Sequence, residues 1–109
     1  MSFQPAASYT IRLLAPSGYP HDPDAINRAL ERLSGAQQRI ENIEATQRRF
    51  QRFGGTDGER AGDLNRLADP ERALPDIGLA VRGGYGAARI LHGLDYRGLE
   101  RRLRDQPIA

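Results

Sequence analysis

The residues with the clearest chemical potential are three glycines and a tyrosine between a predicted strand and a predicted helix, in LAVRGGYGAARIL (79–91). Gly83, Gly84 and Gly86 would let the backbone approach a ligand closely. Free amides at the start of the following helix can hold an anion or a developing oxyanion. The alternative is a tight turn whose glycines only supply positive φ angles. On local grounds both interpretations stay open.

The glycine spacing excludes two familiar nucleotide-binding motifs. A dinucleotide fingerprint needs a third glycine three residues after Gly86, where this chain has Arg89, and no G-K-[ST] follows for a P-loop. Ser17 follows the first predicted strand and can either hydrogen-bond a ligand or cap its own turn.

No metal site and no cofactor are predicted. The chain has no cysteine, and His21 and His92 stand far apart without metal-ligand spacing. Glu41 and Glu44 form no recognisable acid–base pair, and no Ser-His-Asp set can be assembled.

The basic residues do not predict a nucleic-acid partner. All 16 are arginines, the net charge is only +2, and acids interleave with them rather than leaving a basic face. The stretch RRFQRF (48–53) keeps an RNA-binding module open as an alternative, because arginines and phenylalanines can stack on bases. In the other interpretation, the phenylalanines pack against the core and the arginines face the solvent.

No apolar run approaches the ~20 residues of a membrane helix, and the first ten residues do not resemble a signal peptide. We therefore expect a soluble, cytoplasmic protein with no membrane partner.

The elements that would position these residues alternate along the chain. Residues 10–15 predict a strand, Asp22 and Pro23 begin a helix that stops at Gly35, and residues 38–45 hold a short edge strand. The segment 46–55 is ambiguous, and a short helix is one alternative. Thr56 and Glu59 fit a capping box for a helix that ends near Asp69-Pro70.

The second half of the chain repeats this alternation. Residues 76–82 read as a strand covered on both faces, a helix follows the glycines as far as Gly93, and Asp95 caps a last helix. Residues 106–109 then read as the start of another strand. This order predicts an α/β fold with a parallel sheet of about three strands plus the start of a fourth, flanked by helices.

Three stretches together resemble the LD-carboxypeptidases, the muramoyltetrapeptide carboxypeptidases of peptidoglycan recycling. They are LLAPSGYP, RRFQRFGGTDGERAGDLNRLA and AVRGGYGAARIL, and the resemblance runs from Ile11 to the last residue. It implies a two-domain serine peptidase that removes the terminal D-alanine from a murein tetrapeptide in the cytoplasm. A related branch, the microcin C immunity peptidases, cleaves peptidyl-nucleotide antibiotics, and the motifs here are closer to the recycling enzymes.

The resemblance further implies that residues 1–109 are the incomplete N-terminal domain, a truncated Rossmann-like three-layer parallel sheet without the C-terminal catalytic domain. In the family the nucleophilic serine directly follows the strand that QPIA begins, and a glutamate and a histidine lie far downstream. Ser2, Ser8, Ser17 and Ser34 match none of the catalytic positions. We therefore expect no catalytic residue in this chain and no activity from it alone.

The resemblance does assign roles around the glycines. A backbone amide of Gly83 or Gly84 would complete an oxyanion hole, Tyr85 and Gly86 would line the substrate groove, and Arg82 would pair with a substrate carboxylate or stabilise the loop. Ser17 and Gly18 are weaker candidates for the rim of the same groove.

The rival interpretation is a self-assembling or ligand-binding α/β module without catalysis. In either case, a sheet that stops at its fourth strand exposes a strand edge and apolar helix faces. Unpaired edges recruit partners, so we expect a homo-oligomer, either a dimer or a swapped assembly.

Overall fold

The computed structural model describes residues 8–82 and 86–109. Its centre is a three-stranded parallel sheet of β1 (Thr10–Leu14), β2 (Arg39–Glu41) and β3 (Ile77–Ala80), in the order β2-β1-β3. Ile11 of the central strand is in register with Ile40 on one side and Ile77 on the other. The predicted parallel α/β fold is confirmed.

Within the described residues, three α-helices and three short 3-10 helices connect and cover these strands. The α-helices are α1 (Pro23–Gly35), α2 (Asp57–Asn65) and α3 (Tyr96–Asp105). The 3-10 helices are Ile43–Thr46, Arg66–Ala68 and Ala87–Gly93. No helix of the described ranges is long and apolar enough to cross a lipid bilayer.

Side chains at the helix starts explain why each helix begins where the sequence predicts. Asp22 accepts a hydrogen bond from the amide of Ala25, and Asp95 accepts one from Gly98. Thr56 and Glu59 form the predicted capping box, in which each side chain accepts from the other residue's amide. The Thr56 amide, donating to the carboxylate, holds the pKa of Glu59 below its usual range.

The structure resolves one ambiguous segment and overturns one expectation about the elements. The segment 46–55 holds no helix beyond Thr46, because Gln51 has a left-handed φ of 56° and Phe50 pairs with Phe53 across a tight turn. The second half of β3 is not covered on both faces, since Leu79 is 43% exposed. On that face, Leu30 and Leu33 of α1 pack against a cluster centred on β1.

The last residues lie against the outer edge of β3. The Ala109 amide donates to Asp76 O (3.1 Å), and the Gly78 amide donates to Ala109 O (2.8 Å). One residue bonded to both neighbours of its partner is the parallel pattern. Ala109 thus pairs with β3 in the parallel direction, at the position where the sequence predicts the start of a fourth strand.

Candidate active site

The loops that follow β1 and β3 meet at the carboxyl edge of the sheet, the edge at which open parallel sheets bind ligands. The first loop (15–19) follows β1, and the glycine turn (82–86) follows β3. A third segment, the phenylalanine loop (47–55), pairs with the first loop through Gly18 and Phe53. The Gly54 amide donates to Ser17 O at 3.0 Å. The first loop, the phenylalanine loop and the two described ends of the glycine turn, Arg82 and Gly86, therefore lie together.

The two ends of the glycine turn are held by different contacts. Gly83, Gly84 and Tyr85, the principal sequence candidates, lie outside the described residues. At the start of the turn, the exposed Arg82 donates from Nη1 to Tyr19 O (3.3 Å) in the first loop. Of its two predicted roles, this contact favours loop stabilisation.

Gly86, at the other end of the turn, lies where any side chain would be strained. Its φ is +100°, and a Cβ there would lie 2.5 Å from Cε1 of Phe53. A side chain would therefore face both backbone strain and a collision with a ring that is itself 2% exposed. The position requires both the φ freedom and the small volume of glycine.

Arg60 of α2 joins the glycine turn to the first loop. Its side chain is fully buried, and Nη1 donates both to Pro16 O (2.8 Å) and to Gly86 O (3.0 Å). Nη2 donates to Asp57 Oδ1 at 2.6 Å, and the guanidinium carbon lies 4.4 Å from the centre of the Phe53 ring. We call these contacts the Arg60 bridge.

Asp63, one turn later in α2, fixes the end of β1. The carboxylate is 1% exposed and accepts from the amide of Ala15 at 2.8 Å. Arg48 of the phenylalanine loop binds it with both terminal nitrogens, at 3.0 and 2.7 Å, and also donates from Nε to Gly54 O. This bidentate pair ties the phenylalanine loop to β1.

Asn42 extends the same network to β2. It has a left-handed φ of 62°, and its side-chain amide donates to Leu13 O (2.8 Å) and to Asp63 Oδ1 (3.1 Å). Arg66 adds a longer contact to the same oxygen at 3.4 Å. The network therefore connects strands β1 and β2, helix α2 and the phenylalanine loop.

The two weaker rim candidates lie in the first loop. Ser17 is 1% exposed beneath the paired loops. Gly18 faces Arg82, whose Cδ would lie 3.6 Å from an added Cβ. Their predicted contact with substrate stays a prediction, as do the roles of the residues within the glycine turn.

The remaining sequence candidates lie apart from one another. His21 contacts the Tyr19 ring edge-on at 4.9 Å, and His92 is in the 3-10 helix 87–93. Glu41 pairs with Arg12 on the sheet. Within residues 8–82 and 86–109, no group of three His, Asp or Glu side chains could hold a metal ion. In the stretch 48–53, which was considered for RNA binding, Arg48 and Phe53 face the interior. Only the other residues of that stretch are accessible to a nucleic acid.

This arrangement agrees with the comparison to known families. The family model of the LD-carboxypeptidase N-terminal domain matches residues 11–108. The chain belongs to the LD-carboxypeptidase family. The three quoted motifs of the sequence fall within the matched range, so the resemblance is confirmed.

Solved structures with the same fold support this membership in the LD-carboxypeptidases. Muramoyltetrapeptide carboxypeptidase from Oxalobacter formigenes is 33% identical with a TM-score of 0.66, over 85% of this chain and 30% of that protein. The microcin C7 self-immunity protein MccF, as its inactive apo mutant, is 24% identical with a TM-score of 0.68, over 95% of this chain and 30% of its own. MccF in complex with glutamyl sulfamoyl guanosine is 23% identical, with a TM-score of 0.66 over 91% and 28%. The LD-carboxypeptidase chain described here spans about 30% of the length of these proteins.

The sequence interpretation missed the two residues that organise this edge of the LD-carboxypeptidase domain. Neither Arg60 nor Asp63 was among the residues that the sequence singled out, although both are buried in α2. Yet their spacing of i, i+3, continued by Leu67 at i+7, is itself that of a buried helical face. That periodicity was the available signal, and the charge of the two side chains obscured it.

Proposed function

We propose that this chain forms one wall of the active site of a serine carboxypeptidase that removes the terminal D-alanine from murein tetrapeptides during peptidoglycan recycling in the cytoplasm. The observation that carries the proposal is the 33% identity with muramoyltetrapeptide carboxypeptidase over 85% of the chain. The likeness to MccF, below 25% identity, supports the fold alone.

The glycine turn is the proposed contribution of this chain to the chemistry. A backbone amide of Gly83 or Gly84 donates to the oxyanion of the tetrahedral intermediate, and one such donor typically lowers the barrier by ~3 kcal/mol. Tyr85 and Gly86 line the groove, and Ser17 and Gly18 lie towards its rim. Support for this role comes from the two described ends of the turn, where Arg82 donates to Tyr19 O and Arg60 donates to Gly86 O.

The nucleophile of the proposed reaction is not among the residues of this chain. Ser17 is buried and Ser34 lies in α1, while Ser8 hydrogen-bonds Gln37 O. Residues 1–109 therefore act as the N-terminal part of a two-domain enzyme and do not cleave tetrapeptide by themselves.

Release of D-alanine from murein tetrapeptide tests the activity. The longer protein that carries this sequence should release it, and the isolated 109-residue chain should not. Absence of release by the longer protein would overturn the substrate assignment, and hydrolysis by the isolated chain would overturn its inactivity.

A pair of variants in the longer protein tests the oxyanion role. Gly84→Pro removes the amide hydrogen, whereas Gly84→Ala keeps it, so the two share the added bulk but differ in the donor. We expect Gly84→Pro to lose about 100-fold or more in kcat and Gly84→Ala to lose clearly less. Equal activity in the two folded variants would assign the oxyanion to another donor, and Gly83→Pro is then the variant to examine.

We also propose that the isolated chain self-associates. An apolar cleft of about 160 Å³ opens between α1 and β3, lined by Leu13, Ile26, Leu30, Leu79 and Val81 among others. Light scattering should show a dimer or larger assembly, and a monomer at high concentration would contradict it.

A further inference from the structure

We infer that Arg60 is the positioning residue that sets the glycine turn for catalysis. The inference rests on the proposed function, because it assigns a task to a residue outside the groove. Arg60 acts through the carbonyl of Gly86, two residues after Gly84, and does not itself touch substrate.

The geometry of the Arg60 bridge is specific to a guanidinium. One nitrogen, Nη1, reaches carbonyls from two loops at 2.8 and 3.0 Å, and the planar group also lies over the Phe53 ring at 4.4 Å. The same ring blocks any side chain at residue 86. Phe53 and Arg60 therefore define the position of Gly86 from two directions, one by steric exclusion and one by hydrogen bonding.

Stability alone does not account for an arginine at this position. Its side chain is fully buried, yet its acidic partner Asp57 is 54% exposed. Among the described residues, Arg60 Nε has no hydrogen-bond partner. A buried cation with incomplete pairing is commonly no more stabilising than a well-packed apolar side chain of similar volume. What an apolar side chain cannot do is join Pro16 O to Gly86 O.

Fixing both ends of the turn matters because catalysis depends strongly on the location of donors. A displacement of about 1 Å in a catalytic group can cost about 100-fold in rate. Arg82 connects the start of the turn to the first loop, and Arg60 connects its end to the same loop. Two independent arginines thereby link the described ends of the glycine turn, Arg82 and Gly86, to the loop that follows β1.

The test compares Arg60→Met with Arg102→Met in the longer protein. Arg102 is the matched control, because it also donates to two backbone carbonyls, Asp69 O and Arg72 O, but far from the glycine turn. We expect Arg60→Met to lower kcat for D-alanine release about 10- to 100-fold with little change in KM. Arg102→Met should keep the kcat of the wild type. An equal kcat in the two variants overturns the inference.

A second measurement does not depend on activity. Amide hydrogen exchange at residues 83–86 should be faster in Arg60→Met than in Arg102→Met and wild type, and unchanged protection there would overturn the inference. If the wild-type protein releases no D-alanine, the proposed function fails while the exchange result still decides whether Arg60 holds the turn. If Arg60→Met does not fold, Arg60→Lys replaces it, because an ammonium lacks the guanidinium plane. Exchange protection and kcat that both fall below the wild-type values support the inference. Full wild-type values of both contradict it.

Discussion

The two faces of the sheet are covered by different kinds of buried side chain. On one face, α1 has no completely buried residue, and the core there consists of Ile11, Leu13 and Ala15 with partly covered leucines. On the other face, α2 buries three residues, and two of them, Arg60 and Asp63, are charged. The charged side chains of this second face bind the loops of the carboxyl edge.

The two faces therefore have different roles: one stabilises the sheet, and the other positions the loops. Apolar contacts are non-directional, so the α1 face can stabilise the sheet while tolerating small shifts of the helix. The α2 face uses hydrogen bonds whose lengths and angles are restricted, and it therefore determines where the loops lie. A change on the α2 face should cost more stability per atom than a change on the α1 face.

The largest expected effect is that of Asp63→Ala on the α2 face. It leaves the guanidinium of Arg48 and the amide of Ala15 without their buried acceptor, and removal of one partner from a buried ion pair costs about 3–5 kcal/mol. Urea unfolding measures this loss. Glu100→Ala, which breaks an exposed pair with Arg104, serves as control and should change the free energy of unfolding by less than about 0.5 kcal/mol. Similar losses for the two variants would remove the contrast between the faces.

Gly86→Ala should come next. The added Cβ meets the Phe53 ring at 2.5 Å and the φ of +100° is unfavourable, so we expect a loss of about 1–3 kcal/mol. Gly35→Ala is the matched control, because nothing lies within 4 Å of its Cβ position. Thermal unfolding of both variants checks the expectation, and an unchanged Tm for Gly86→Ala would show that the Phe53 ring can move aside.

A substitution on the α1 face should cost less than a typical core change. Leu30 is only partly buried beside the open cleft, so Leu30→Ala should lose about 1–2 kcal/mol, below the 2–5 kcal/mol of fully enclosed leucines. Chemical denaturation gives the value. A loss as large as that of Asp63→Ala would mean that the α1 face is as sensitive to substitution as the α2 face.

The smallest effect concerns the start of α2. The lowered pKa of Glu59 means that its charged form stabilises the folded chain at neutral pH, and that this stabilisation is lost as the pH falls through the folded-state pKa. Glu59→Gln retains the capping hydrogen bond but not the charge. The Tm of the wild type should exceed that of Glu59→Gln slightly at neutral pH, and the difference should vanish in acid. A difference independent of pH would contradict the assignment to charge.

Local signals in the sequence predicted most of the fold. The helix starts at Asp22, Thr56 and Asp95 were predictable because a cap and its amide lie within three residues of each other. The strand β3 was predictable from its short apolar run. The exposure of the end of β3 was not predictable from the sequence. It depends on which strands α1 crosses, and that is determined only when the helices pack on the sheet.

The site was predicted less completely. The glycine turn and the first loop were predicted because their glycines and their position after a strand can be recognised within a short stretch of sequence. The phenylalanine loop was not, since its shape depends on Arg48 binding Asp63, 15 residues away, and on pairing of Phe53 with Gly18. Arg60 and Asp63 look like ordinary surface charges until the partners that enclose them are known.

Asn42 carries a restriction on which amino acids this family member could accept. Its left-handed backbone favours glycine, asparagine and aspartate. Glycine would lose both side-chain hydrogen bonds, and aspartate would place a second carboxylate against Asp63 and the carbonyl of Leu13. Of these three residue types, asparagine alone meets the backbone and the electrostatic requirement together. A saturation library at this single position should therefore return asparagine from any selection for folded protein.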